Sequence, residues 1–173
     1  GDKNGIGLSL SNIGIAYWNK GDLDKALDYL ERSLAIRKKL QDKNGIAENF
    51  NNIGSLYLNK GHYEIALKYL EKSLSIRKEY SVSSEALLVT TTSVYLTYKY
   101  LGKDYNQVVI KNLIKETKNI NYELNFQLYK LFNDKSYLKT AYNQVQEKLN
   151  NINNELTEKF INYFIPNHII EEY

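Results

Sequence analysis

The sequence has no cysteine and no methionine, and only one proline and one tryptophan, in 173 residues. Without cysteine there is no disulfide framework, no thiol nucleophile and no thiolate metal site. That fits a reducing compartment, and the expectation is a cytoplasmic protein. With no methionine and Gly1 at its start, the chain reads as a processed product or a part excised from a longer protein. Long apolar runs are missing too. None nears the roughly 18 residues of a membrane span, and no signal-peptide pattern is present, so no membrane partner is expected. Charge of one sign is scarce. Residues 1–80 carry 13 basic and 10 acidic groups, residues 81–173 carry 10 of each, and the net charge is +3. No basic stripe emerges, which argues against a nucleic-acid partner.

The constellations that carry chemistry are equally sparse. The two histidines, His62 and His168, lie far apart, with no HExxH or His–acid spacing around them. Glu171 and Glu172 are adjacent, and neighbouring helical residues do not face one another. There is no GxxxxGK[ST] phosphate loop, and "GIGLS" at residues 5–9 lacks both the spacing and the preceding strand of a dinucleotide site. The "TTTS" run at 90–93 has no base beside it and reads as polar helix positions. The expectation is therefore no catalytic residue, no metal and no cofactor. The basic segments "RKKL" (37–40) and "RKEY" (77–80) read as cations complementing the C-terminal ends of helix dipoles, with contact to an acidic partner as the alternative.

What is present is repetition. Residues 1–40 align with residues 41–80 without a gap and are identical at 22 of 40 positions. "DKNGI", "NIG", "NKG" and "IRK" each occur in both copies. A fixed period of this size marks stacked supersecondary units. Each unit reads as two helices. In the second copy Ile46, Phe50, Ile53, Leu56 and Tyr57 give an apolar stripe over about 43–59. Ala66, Leu67, Leu70 and Leu74 give another over about 63–79. The first copy places helices at about 6–19 and 23–39, with Asp22 as an N-cap. Gly21 and Gly61 suit left-handed residues after a helix end. Gly14 and Gly54 fall mid-helix, where glycine costs about 1 kcal/mol relative to alanine. They make sense if another backbone comes close, with Ala26 and Ala66 as the small partners on the following helix.

These residues resemble the tetratricopeptide repeat family. The pattern asks for Ile13–Gly14 and Ile53–Gly54, an aromatic at Tyr17 and Tyr57, a turn glycine at Gly21 and Gly61, and Ala26 and Ala66 in the second helix. The closing proline is absent. The 40-residue period is similar to the long repeats of kinesin light chains and many bacterial signalling proteins. The resemblance covers residues 1–80. It implies an all-α fold, a right-handed α-α superhelix of about four helix pairs with a C-terminal helical cap. The expected organisation is one domain over 1–173: repeats at 1–40 and 41–80, degenerate repeats at 81–118 and 119–150, and a cap at 151–173. The ending "FINYFIPNHIIEEY" resembles the tail of some bacterial arrays.

Beyond residue 80 the helical rhythm continues but the wording changes. Residues 83–103 read as a third first helix, capped by Ser83 or Ser84. Aligning Gly102 with Gly61 puts Tyr95 at the mid-helix glycine and Val108 near the alanine. Both add bulk, so this pair is expected to splay or shift. Helices follow at about 120–132, 135–150 and 152–163, with Asn133–Asp134 as a turn and Pro166 opening a last short helix. Leu138, Ala141, Tyr142 and Val145 form a stripe.

The resemblance also implies a function: binding a peptide or protein segment in a concave groove lined by the first helix of each pair, without catalysis. It places Leu8, Ser11, Asn12, Ile15 and Trp18 there from the first unit. Glu48, Asn51, Asn52, Ser55 and Leu58 come from the second, and Val89, Thr92, Ser93 and Leu96 from the third. Asn12 and Asn52 either make a paired amide ladder able to donate to and accept from a peptide backbone or bond between helices. Ser11, Ile15, Val89 and Ser93 stand where a clamp for a terminal carboxylate would need basic or amide groups, which argues against that ligand. Two alternatives stay open: a regulatory or sensor segment of a larger signalling enzyme, such as a histidine kinase or nucleotide cyclase, and a structural module. The latter would self-associate as a homo-oligomer through the tyrosine-rich C-terminal half, where Tyr95, Tyr98, Tyr100 and Tyr105 cluster.

Overall fold

The computed structural model describes residues 3–80, 82–151 and 164–173. Among them every regular element is a helix. Four of equal length come first: α1 (Lys3–Asn19), α2 (Leu23–Lys39), α3 (Lys43–Asn59) and α4 (Tyr63–Glu79). They are followed by α5 (Ser84–Tyr100), α6 (Gln107–Glu116), α7 (Tyr122–Phe132), α8 (Lys135–Asn150) and α9 (Phe164–Glu172). Successive helices pack in pairs, α1 with α2, α3 with α4 and α7 with α8, an all-helical repeat architecture. The expected helix over 152–163 lies outside the described residues.

Helix ends are written locally. Asp22 accepts a hydrogen bond from the Lys25 amide and Asp42 from the Gly45 amide. Ser83, rather than Ser84, caps α5 through the Ala86 amide. Asn106, Asn121 and Asp134 cap α6, α7 and α8 in the same way. At the other ends, Gly21, Gly61 and Gly102 take φ of 79°, 77° and 65°. The amide of the residue after each glycine then reaches back, as His62 does to the Tyr57 carbonyl at 2.9 Å. Gln41 and Asn133 adopt the same left-handed conformation, each at φ 56°.

The chain divides into two compact units, 1–117 and 118–173. In the first, Ala26, Leu30, Leu34, Ile46, Phe50, Ile53 and Leu56 form the core, with Tyr17, Trp18 and Tyr57 packed against it. The mid-helix glycines set how closely the pairs approach. A Cβ on Gly54 would stand 2.6 Å from Leu70 Cγ and 3.2 Å from the Ala66 carbonyl oxygen. One on Gly14 would stand 2.9 Å from Leu30 Cγ and 3.1 Å from the Ala26 carbonyl. The partner is thus a leucine branch point lying over the glycine, with the alanine backbone beside it.

The third pair differs as its sequence does. Three residues join α1 to α2 and α3 to α4, whereas Leu101–Asn106 join α5 to α6. Tyr95 stacks on Tyr98 at 6.1 Å and meets Tyr105, from that longer connection, at 5.0 Å. Helix α6 has only 10 residues, and Ile110, not Val108, supplies its buried contact. Val108 is 63% exposed.

In the second unit Tyr122, Phe126, Leu138, Ala141, Val145 and Ile169 make the core, with Tyr142 packed at its edge. Ala141, fully buried, is the small residue between α7 and α8. Pro166 lies in the first turn of α9, where a missing N–H costs nothing.

Candidate functional site

The first helices of the pairs, α1, α3 and α5, pack side by side as well as against their partners. The residues singled out from the sequence lie on these three helices, and the structure sorts them by burial. Leu8 is 50% exposed and Asn12 is exposed. Ile15 and Trp18 are half-buried, with Trp18 packed on the core. Leu8, Asn12 and Ile15 follow at four and three, so they share one strip of α1. Glu48 is half-buried and Asn52 is half-buried. The Asn52 Nδ2 is out of reach of water and has no hydrogen-bond partner among the described residues.

Ser11, Asn51, Ser55, Leu58, Thr92 and Ser93 are buried, so they contact their own chain. Ser11, Asn51, Thr92 and Ser93 couple one repeat to the next or bond along their own helix. Ser11 Oγ donates to Asn49 Oδ1 at 3.0 Å. One repeat further, Thr90 Oγ1 donates to Asn51 Oδ1 at 3.0 Å. These are the same pair of positions, since Asn51 is the counterpart of Ser11 and Thr90 of Asn49. Thr92 and Ser93 donate to carbonyls one turn earlier, those of Leu88 and Val89. A buried hydroxyl or amide left without such partners costs about 1–3 kcal/mol. The bonds from Ser11 and Thr90 form a buried polar seam that ties the first helix of one pair to the first helix of the next.

Several residues of this framework were not anticipated. Asn49 is fully buried and also donates from Nδ2 to the Leu30 carbonyl at 2.9 Å. It lies three residues after Ile46 and four before Ile53, so its place on the apolar stripe was the available signal. Ser33 and Ser73 occupy matching buried positions and donate to the carbonyls of Gly7 and Ala47 at 2.6 and 2.7 Å. Both repeat within the "SL.IRK" segments.

The basic helix ends need a correction. Lys38, Lys39 and Lys78 are exposed, as a dipole-complementing role allows, but Arg37 and Arg77 are buried. Arg37 reaches the first turn of α3 and Arg77 that of α5. Arg37 Nη1 donates to the Gly45 carbonyl at 2.7 Å and pairs with Glu48 Oε2 at 2.7 Å. Arg77 Nη1 donates to the Ala86 carbonyl at 2.6 Å. Burial pulls the Arg77 guanidinium below its ordinary pKa, with the Glu48 carboxylate acting in the opposite sense.

The tyrosines beyond residue 94 are largely engaged within their own unit. Tyr98 donates to Glu71 Oε1 at 3.0 Å, and Tyr100 stacks on Tyr63 at 4.9 Å. Burial pushes the phenols of Tyr95, Tyr98 and Tyr105 upward. Among the described residues no group of histidines and carboxylates is arranged to hold a metal ion, and no helix is long and apolar enough to cross a membrane.

No curated protein matches the chain in sequence. Residues 5–79 match the tetratricopeptide repeat family. Those residues span α1 to α4, the two pairs whose glycines, left-handed turns and buried seams coincide. Such repeats generally mediate protein–protein interaction, and folds of this type are typically scaffolds without catalysis. With the family pattern and the packed helix pairs in agreement, residues 5–79 form tetratricopeptide repeats.

Proposed function

We propose that the protein is an interaction scaffold that binds an extended segment of a partner protein along the shared face of α1, α3 and α5. The observation that carries this reading is Asn52. Its Nδ2 has no partner among the described residues, and its counterpart one repeat earlier, Asn12, is exposed. A donor without an acceptor is costly, and a turn of the half-buried Asn52 amide toward a bound segment lets a carbonyl there relieve that cost. Two amides one repeat apart on neighbouring helices give a ladder for an extended backbone. Leu8 and Ile15 flank Asn12 with apolar contact, and Trp18 adds a large aromatic near the end of α1. Aromatic side chains of this kind dominate many interfaces. Ser11, Asn51, Ser55, Leu58, Thr92 and Ser93 support the face from below rather than touching the ligand.

The test begins with recovery of a partner by pull-down and mapping of the segment bound. Calorimetry then compares the native chain with the double variant Asn12→Ala, Asn52→Ala. We expect affinity to fall at least tenfold, about 1.4 kcal/mol, with the helical signal and melting temperature retained. Unchanged affinity in a folded variant would remove the ladder.

A further inference from the structure

The two junctions between repeats are built from the same parts, with one part missing. Arg37 at the end of α2 and Arg77 at the end of α4 are 5% and 8% exposed. Arg37 donates to the Gly45 carbonyl and Arg77 to the Ala86 carbonyl, so the third repeat follows the second at an offset of 41 residues. The same offset takes Glu48, the carboxylate paired with Arg37, to Val89. The second junction therefore keeps the buried cation and its carbonyl but replaces the carboxylate with an isopropyl group. Arg77 has no ion pair among the described residues, and its Nε, sealed from water, has no hydrogen-bond partner there.

Arg77 lines a cleft of about 440 Å³ between α3, the end of α4 and the start of α5, with Asn44, Glu48, Tyr80 and Ser83 among its other walls. Glu48 is already committed to Arg37 at 2.7 Å, so the three charged groups leave one positive charge. The Ser83 hydroxyl oxygen accepts from the Ala86 amide, which leaves its proton to donate. Arg77 thus lines the cleft as a nine-tenths-buried guanidinium, and a small turn of its side chain adds the unspent Nε–H to the hydroxyl and amide donors there, with room for a small ligand. Planar forked donors of this kind match carboxylates.

We propose that this cleft binds the side-chain carboxylate of an acidic residue from a partner protein, which takes the place at Arg77 that Glu48 takes at Arg37. An aspartate or glutamate is favoured over other anions because the sister junction is completed by a glutamate side chain. The site lies at the junction of α3, α4 and α5 and stands independently of the amide ladder. Its test needs no knowledge of the partner.

The Arg77 Nε–H resonance of the whole chain is followed by NMR while N-acetylglutamic acid α-amide, which carries only a side-chain carboxylate, is added. We expect a saturable shift with a dissociation constant on the order of 10 mM, a magnitude suited to one weakly assisted ion pair. Val89→Glu restores the missing carboxylate within the chain and should weaken the probe at least tenfold, while the neutral Val89→Gln binds it like the native protein. Arg77→Lys keeps the charge, removes the fork and should also weaken binding, followed through the Ala86 and Ser83 amides. That variant carries the test should Val89→Glu fail to fold. N-acetylglutamine, with only an α-carboxylate, and inorganic phosphate serve as competitors. No saturable shift, or binding undiminished in folded Val89→Glu, would overturn the proposal. Tighter binding of either competitor would overturn the assignment to an acidic side chain.

Discussion

Single residues here answer to backbone geometry before they answer to chemistry. Gly54 shows this most directly. Alanine is the better helix former by about 1 kcal/mol, so propensity alone favours Gly54→Ala. The added Cβ would lie 2.6 Å from Cγ of Leu70, a side chain with no exposed surface through which to retreat. Overpacking of this kind costs about 1–3 kcal/mol. We expect a net loss of up to about 2 kcal/mol in urea denaturation, and a smaller loss for Gly14→Ala, where the approach to Leu30 is 2.9 Å. A stabilised Gly54→Ala protein would show that the helix pair yields easily. Gln41 presents the opposite case. It holds φ 56° at a turn where the equivalent of the preceding helix end is Gly21 at 79°. An L side chain pays strain there that glycine avoids. Gln41→Gly should raise stability by about 0.5–1 kcal/mol in the same measurement, and no gain would mean that the Gln41 side chain offsets its own strain.

At the scale of helices, α6 departs most from the pattern. Helices α2 and α4 have 17 residues each, with five buried side chains apiece, while α6 has 10 residues and buries only Ile110. Short helices gain little from their own hydrogen bonds and depend on packing. Local opening should therefore cost less in α6 than in α2 or α4. Hydrogen exchange of the native chain should show amides 110–116 less protected than those in the middle of α2 and α4. Equal protection would place the Tyr95–Tyr105 contact on a par with the glycine-mediated pairs. The cause was visible in part. Tyr95 at a glycine position signalled a changed pair. The role of Tyr105 was not visible, because nothing in the linear order says that residues of a six-residue connection fold back onto the helix preceding it.

For the whole molecule, the division after Thr117 makes a direct prediction. Each unit has its own apolar cluster: Leu30, Ile53 and Leu56 centre the first, and Phe126, Leu138 and Val145 belong to the second. A unit with its own core can fold alone. A fragment ending at Thr117 should keep its helical circular dichroism and melt cooperatively. A broad, non-cooperative melt would mean that residues 118–173 complete the first core.

The sequence by itself determined what depends on near neighbours. Caps such as Asp22, Ser83 and Asp134 bond to amides two or three residues away, and left-handed glycines act on the turn they end. Both are therefore readable within a few residues, and the repeat multiplied the signal. Apolar spacing likewise marked Ile53, Leu56 and Leu70 as core. The tertiary structure alone decided the fate of the polar residues on the same helices. Whether Asn12 faces water while Ser11 is sealed against Asn49 depends on a partner 38 residues away. Whether an arginine ends in solvent or in the interior depends on which carbonyl and carboxylate the next repeat presents. Helical periodicity locates a side chain on a face, but the neighbour packed on that face settles its hydrogen bonds and its charge, and at Arg77 that neighbour brings a carbonyl without a carboxylate.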